Sequence, residues 1–159
     1  MRQALIVILV IFFAAASLGM AERPFEELSL PDLAGKQIKL SDHRGKIIFL
    51  NFWATRCTYC REEMPAIQSL HDKLKGEKFV VITVALDTRP EVKSFIEEGK
   101  FTFMVLLDSK GIAADLYHVT SIPATFVIDK KGKVIDRVIG PRDWAEDSLI
   151  RSFKKLARE

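Results

Sequence analysis

The chain has 159 residues, of which 48% are hydrophobic and 28% are charged, and its formal net charge is +3. This length fits one domain with a real hydrophobic core, and the composition excludes a disordered or low-complexity protein. The small positive charge does not call for a nucleic-acid partner, and two cysteines are too few for a disulfide scaffold or a four-ligand zinc site.

The N-terminus has the pattern of an export signal. A short positive start is followed by an almost unbroken apolar run from Ala4 that ends in small residues at Gly19 and Ala21. From Ala4 to Ala21 the run is 18 residues long, the short end of what spans a bilayer, so a retained membrane anchor stays open. In either case we expect an exported domain. The predicted division of the chain is a signal peptide or anchor, a tether and one domain: residues 1–21, 22–29 and 30–159.

Beyond the tether, apolar patterning and turn signals predict alternating strands and helices. In chain order they are a hairpin, a strand, a helix, a strand, a helix, a strand, a short helix, a second hairpin and a final helix: Leu30–Leu40, Ile47–Phe52, Cys57–Gly76, Phe79–Leu86, Pro90–Gly99, Phe103–Leu107, Ile112–Tyr117, Thr125–Ile139 and Asp143–Leu156. Asp143 and Glu146 have the spacing of a capping box, and Gly99 is the expected stop of its helix. This order indicates an α/β fold with a mixed sheet.

The most informative stretch runs from Trp53 to Cys60. Cys57 and Cys60 are three residues apart, directly after a predicted buried strand and at the predicted start of a helix. This spacing brings both sulfurs within bonding reach on the first helical turn, and the unpaired N–H groups of a helix N-terminus stabilise a thiolate. We therefore predict a redox pair, with Cys57 as the exposed nucleophile and Cys60 as the shielded partner that resolves a mixed disulfide.

Two other uses of the cysteines are less favoured. A structural disulfide between residues so close in sequence closes a very short loop and constrains the unfolded chain little. A metal site needs further ligands, and His43, His71 and His118 show no ligand-like spacing. We therefore expect no metal, and no cofactor other than a redox-active Cys57–Cys60 disulfide.

These motifs resemble the thioredoxin superfamily and, within it, the exported TlpA/ResA/CcmG-like thiol-disulfide oxidoreductases. The resemblance extends from Leu30 to the final helix. It rests on a hairpin, an active-site segment, a helix–strand stretch and a proline loop: Leu30–Lys36, Asn51–Cys60, Asp87–Leu107 and Ser121–Phe126. It implies a thioredoxin fold, with a central mixed β-sheet flanked by helices, an N-terminal β-hairpin and a helix–strand insertion.

The resemblance also implies roles for residues beside the cysteines. A cis peptide bond is expected before Pro123, opposite Cys57, although an ordinary trans proline before a strand is the alternative. The cis bond would expose the backbone of Ile122, where an extended substrate segment can pair by strand addition. Trp53 belongs to the active-site segment and is expected to support it.

Three more positions are interpreted through the same resemblance. Glu63 matches a glutamate of this branch, where a partly buried carboxyl of raised pKa would exchange a proton with Cys60; the alternative is a glutamate that simply favours a helix start. Asn51 stands where ordinary thioredoxins carry a buried acid, so Glu63 is the expected substitute. Arg56 replaces a common tryptophan, and its guanidinium is expected to lower the pKa of Cys57.

The expected activity is reduction of disulfides in exported proteins, with apocytochrome c as a candidate substrate. The implied partners are protein disulfides or thiols and a membrane electron donor that restores the dithiol, and the implied location is periplasmic. Three alternatives stay open: an oxidant or isomerase with the same motif, a peroxiredoxin-type peroxidase and a Sco-type copper chaperone. Leu50 and Ala54 stand where a peroxidase would carry proline and threonine, and Sco proteins space their cysteines one residue further apart.

Overall fold

The computed structural model describes Phe25 and residues 28–159. The predicted signal peptide or anchor, residues 1–21, and most of the predicted tether lie outside the described residues. Of the helices in the part of the chain that is described, none has the length and apolar character that crossing a bilayer needs.

The strands form two sheets. β1 (Ser29–Pro31) and β2 (Gln37–Lys39) make an antiparallel hairpin, as predicted. The other strands form a five-stranded sheet in the order β5-β4-β3-β6-β7. These strands are β3 (Ile47–Trp53), β4 (Phe79–Ala85), β5 (Met104–Leu107), β6 (Ala124–Ile128) and β7 (Val134–Ile139). β3, β4 and β5 are parallel, while β6 and β7 run antiparallel to their neighbours, which confirms a mixed sheet.

Helices cover the sheet on both faces. They are α1 (Thr58–Lys73), α2 (Arg89–Gly99), α3 (Ile112–Leu116) and α4 (Asp147–Arg158), together with a short 3-10 helix at Leu40–His43. Every residue of the central strand β3 is buried. Phe49 packs with residues of α1, α2 and α4 on one face, whereas Leu50 packs with the hairpin and α3 on the other. A strand covered on both faces needs an unbroken apolar run, and β3 has one with Asn51 as its only polar member.

One detail of the prediction is wrong. The last helix begins at Asp147 with Glu146 as its N-cap, not at Asp143. Asp143 instead accepts a hydrogen bond from the Ala145 N–H at 2.9 Å, so the capping residue serves a turn before the helix. Gly99 is the last residue of α2, as predicted, and Lys100 after it takes the left-handed φ of 54°.

The segment that contains the cysteines follows one end of the five-stranded sheet. At one end Trp53 of β3 pairs with Ala85 of β4, just before the segment that contains Cys57. At the other end Ile47 pairs with Phe79, and Ile48 with Ile128 of β6. Because β3 has seven residues, the two ends are roughly 20 Å apart.

Candidate active site

The two cysteines form a disulfide at the start of α1, as the spacing predicts. Their Cα atoms are 5.2 Å apart. Cys57 is the N-cap of α1, and its Sγ accepts a hydrogen bond from the Cys60 N–H at 3.2 Å. Cys60 is completely buried, while Cys57 is half-buried. A reagent from solvent therefore reaches Cys57 first, and the helix N-terminus stabilises negative charge on its sulfur.

The segment before Cys57 is held by the loop that follows β4. The Asp87 carboxylate accepts a short hydrogen bond from the Thr55 N–H, and the Trp53 carbonyl accepts one from the Leu86 N–H at 3.0 Å. Trp53 itself is fully buried and packs against Phe95, with ring centroids 5.1 Å apart. Trp53 thus supports the active-site segment from inside the core and offers no surface to a substrate.

Arg56 lies on the surface and is directed towards α2. Its guanidinium is 3.7 Å from a carboxylate oxygen of Glu91, and its side chain is 88% exposed. Glu91 also caps α2, because it accepts hydrogen bonds from the Thr88 hydroxyl and N–H. The lowering of the Cys57 pKa by Arg56 stays a prediction, since the recorded partner of the guanidinium is Glu91.

The proline loop faces the disulfide. The peptide bond between Ile122 and Pro123 is cis, as predicted. The Ile122 carbonyl oxygen lies 4.0 Å from the Cys57 Sγ, while Pro123 is buried. A backbone hydrogen-bond acceptor thus lies beside the more accessible of the two sulfurs.

Glu63 lies on α1, is buried, and accepts hydrogen bonds from N–H donors. Its side chain is only 4% exposed. Oε1 accepts a hydrogen bond from Asn51 Nδ2 at 2.8 Å, and Oε2 accepts one from the Trp144 indole at 3.1 Å and one from the Arg142 N–H at 3.4 Å. Asn51 Nδ2 also donates to the Thr125 hydroxyl at 3.0 Å. Among the described residues, the Glu63 carboxyl therefore has three N–H partners and no ion pair.

Burial raises the pKa of Glu63 above its ordinary value, although the hydrogen bonds from Asn51, Trp144 and Arg142 oppose the rise. The carboxyl also lines a surface pocket of about 330 Å³ together with Pro141 and Arg142. Burial thus favours the protonated form of Glu63, and the residue borders a pocket that is open to solvent. A carboxyl with both properties is suited to proton exchange.

Among the residues that the structure describes, no three histidine, cysteine or acidic side chains cluster as metal ligands would.

Comparisons with known proteins place this geometry in a family. A profile described as the AhpC/TSA family matches residues 21–137. The chain is 41% identical over 118 residues to thioredoxin-like protein YneN of Bacillus subtilis, covering 72% of this chain and 68% of the relative. It is 38% identical over 126 residues to thiol-disulfide oxidoreductase ResA of Bacillus thuringiensis subsp. konkukian, covering 79% and 72%. The chain belongs to the AhpC/TSA family.

Solved structures agree with the assignment. StoA of Bacillus subtilis matches with a TM-score of 0.67 and 28% identity, over 81% of this chain and 94% of StoA. A thiol:disulfide interchange protein of the thioredoxin family from Chlorobium tepidum matches with a TM-score of 0.70 and 28% identity, over 83% and 93%. The fold is the thioredoxin fold, and the chain is a thiol-disulfide oxidoreductase of the ResA and StoA type with its Cys-x-x-Cys pair at disulfide distance.

The sequence alone missed two residues that shape the site. Trp144 reaches Glu63 across 81 positions, and Asp87 reaches Thr55 across 32. A tryptophan at the start of a predicted helix is a faint signal, because an indole needs both a core to fill and a partner for its N–H. Nothing in the sequence indicates that the partner is Glu63.

Proposed function

We propose that this protein reduces disulfides of exported proteins outside the cytosol, with Cys57 as the nucleophile. The observation that carries the proposal is the unequal burial of the pair. Cys57 is reachable and accepts a helix N-terminal hydrogen bond, whereas Cys60 is completely buried behind it. The two sulfurs therefore have different roles in thiol–disulfide exchange.

The proposed cycle starts from the dithiol. The Cys57 thiolate attacks one sulfur of a substrate disulfide, which breaks the substrate S–S bond, forms a mixed disulfide and releases the first substrate thiol. The Cys60 thiolate then attacks the Cys57 sulfur, which releases the second substrate thiol and leaves the Cys57–Cys60 disulfide seen here. Two electrons pass to the substrate, and an external dithiol donor must return two.

Glu63 is the proposed proton acceptor for Cys60. Cys60 must lose its proton in the second step, yet it is buried away from water. Glu63 lies one helical turn further along α1, is itself buried with a raised pKa, and lines a pocket that opens to solvent. Proton transfer from the thiol to this carboxylate, and from there to solvent, removes the need for water at the disulfide.

The location and partners follow from the family and from the N-terminal pattern. An apolar run from Ala4 to Ala21 behind a positive start supports export, either with removal of residues 1–21 or with their retention as an anchor. A membrane protein that supplies electrons as a dithiol is the proposed donor, and haem-binding thiols of apocytochrome c are the proposed substrate. The active disulfide is the proposed sole redox group.

The first test exchanges each cysteine for serine. Cys57→Ser should abolish insulin-disulfide reduction, and retained activity would refute the nucleophile assignment. Cys60→Ser should instead accumulate mixed disulfides with its substrates, because the resolving thiol is missing. If only the Cys57→Ser protein traps substrates, the two roles are reversed.

The direction of electron flow is tested by the reduction potential of the Cys57–Cys60 pair. A reduction potential of about −270 mV supports a reductant, and one of about −120 mV identifies an oxidant. Equilibration with glutathione or dithiothreitol mixtures, read out by thiol alkylation, gives the number directly.

A further inference from the structure

The end of the sheet opposite the disulfide is where the N-terminal segment joins the domain. Phe25 is buried at this end, under the Arg44 guanidinium, which lies 5.0 Å from the ring centroid. Its ring also packs on Gly132, where a Cβ atom would come within 2.5 Å of it. In the sequence, the apolar run ends at Ala21, four positions before Phe25, and four residues of chain span at most about 14 Å.

The loops at this end are rich in cations. The segments before β3, before β4 and between β6 and β7 carry seven cationic side chains, Arg44, Lys46, Lys75, Lys78, Lys130, Lys131 and Lys133, against two acidic ones, Glu77 and Asp129. We call this surface the basic end. Its segments are tied together, because the Gly45 N–H donates to the Lys130 carbonyl at 3.0 Å and the Ile47 N–H to the Lys78 carbonyl at 2.8 Å.

The two acidic side chains are committed to other partners. The Asp129 carboxylate accepts hydrogen bonds from the Lys131 and Lys133 backbone N–H groups, both at 2.9 Å. Glu77 forms an ion pair with Arg158 at 2.6 Å. Within the described part of the chain, the ammonium groups of Lys46, Lys78, Lys131 and Lys133 have no carboxylate partner, and all four residues are exposed.

The opposite end shows no such excess. There, the segments that follow β3, β4, β5 and β7 carry four acidic side chains, Asp87, Asp108, Asp143 and Glu146, against three basic ones, Arg56, Lys110 and Arg142. Of the two ends of the sheet, only the basic end therefore has an excess of cationic side chains in its described loops.

We propose that the basic end rests on anionic phospholipid headgroups of the membrane that holds residues 1–21. An anionic leaflet attracts cations that lie close to a membrane anchor. In this orientation the Cys57–Cys60 disulfide faces away from the bilayer. It lies roughly 20 Å above the headgroups, in the space where exported substrates are. The proposal takes residues 1–21 as a retained anchor and does not depend on the redox activity.

The test uses the full chain in unilamellar vesicles and a membrane-impermeant amine reagent, with labelling of each lysine read by mass spectrometry. One set of vesicles is phosphatidylcholine, and the other contains phosphatidylglycerol as well. In the anionic vesicles, Lys131 and Lys133 should react about fivefold more slowly than in the neutral ones, and high salt should remove the difference. Lys110, at the opposite end, should react equally in both and serves as the internal control.

A pair of charge reversals sharpens the result. The double variant Lys131→Glu, Lys133→Glu should lose the protection of Lys46 and Lys78 in anionic vesicles. The matched control, Lys93→Glu with Lys110→Glu, makes the same change of net charge far from the basic end and should keep it. Far-ultraviolet circular dichroism checks that both variants fold, and the unmodified chain decides the question without them.

Three outcomes overturn the proposal. Equal labelling in both kinds of vesicle means that the basic end does not contact lipid headgroups. Protection of Lys110 as large as that of Lys131 means that the domain has no preferred orientation. Protection by soluble polyglutamate but not by anionic vesicles assigns the basic end to an acidic protein partner.

Discussion

The two ends of the central sheet are built from the same strands but in opposite ways. At the disulfide end, buried polar groups have specific partners, such as Asn51 and Trp144 on Glu63. At the basic end, four lysines stand exposed on loops without a carboxylate partner among the described residues. A buried hydrogen-bond network is sensitive to single atoms, whereas exposed charges act through their sum. Substitutions should therefore be costly at one end and almost neutral at the other.

Asn51→Asp should have the largest effect. It places a second buried carboxyl at the position of an amide that is 2.8 Å from Glu63, and two carboxylates at this distance cannot both ionise. Both folded-state pKa values rise, so the folded protein binds more protons than the unfolded chain and stability falls as the pH rises. We expect a loss of roughly 3–5 kcal/mol at alkaline pH and much less in acid, measured by urea unfolding.

The control for Asn51→Asp adds a carboxyl at the basic end. Lys133→Asp should change the free energy of unfolding by less than about 0.5 kcal/mol at either pH. If both substitutions cost the same, the contrast between the two ends is wrong.

Trp144→Phe should have the next largest effect. The substitution keeps an aromatic ring against Phe49, now 4.8 Å away in an edge-on contact, and removes the N–H that Glu63 accepts. Trp53→Phe is the matched control, because the Trp53 indole N–H has no partner among the described residues. Trp144→Phe should cost about 1–3 kcal/mol more than Trp53→Phe in urea unfolding. Equal costs would show that the hydrogen bond to Glu63 contributes nothing.

Glu63→Gln should alter how stability depends on pH. Because the pKa of Glu63 is raised on folding, its contribution is fully present below about pH 4.5, the ordinary value, and is lost as the pH rises through the folded-state pKa. The variant should lack this decline. Rotation of the Asn51 amide lets its unpartnered Oδ1 accept from the new amide, so the variant should fold.

Urea midpoints measured from pH 4 to pH 8 test this change, and Glu62→Gln, at an exposed neighbour, is the control. In the same series, the pH profile of thiol alkylation should shift for Glu63→Gln only. An unshifted profile would leave Glu63 as an ordinary helix residue and remove it from the proposed proton path.

The smallest effect is expected from Lys131→Glu with Lys133→Glu. Both lysines are exposed, and their ammonium groups pair with no carboxylate in the described chain, so the free energy of unfolding should change by less than about 0.5 kcal/mol. Insulin reduction should also stay unchanged, because the basic end is roughly 20 Å from Cys57. A large loss of either would mean that these lysines support the fold or the active site.

Local patterns in the sequence determined most of the strands and helices and the redox pair, whereas the cis bond before Pro123 was expected only from the family resemblance. Apolar runs such as Ile47–Phe52 predict buried strands, and the spacing of Cys57 and Cys60 at a helix start brings the sulfurs together, because both depend on neighbours in the chain. The error at Asp143 has the same origin. A capping-box spacing is a local signal, and here the turn at Ala145 takes up the carboxylate before the helix begins.

The surroundings of Glu63 and the basic end were decided only by the tertiary structure. Trp144 and Arg142 reach Glu63 from about 80 positions away in the chain, and the lysines of the basic end come from three separate segments. Tertiary packing brings distant segments together. It therefore decides whether a carboxyl is buried and whether cations from separate loops lie on one surface. Spacing along the chain carries information about contacts within a turn of helix or a strand, and distant packing sets the rest.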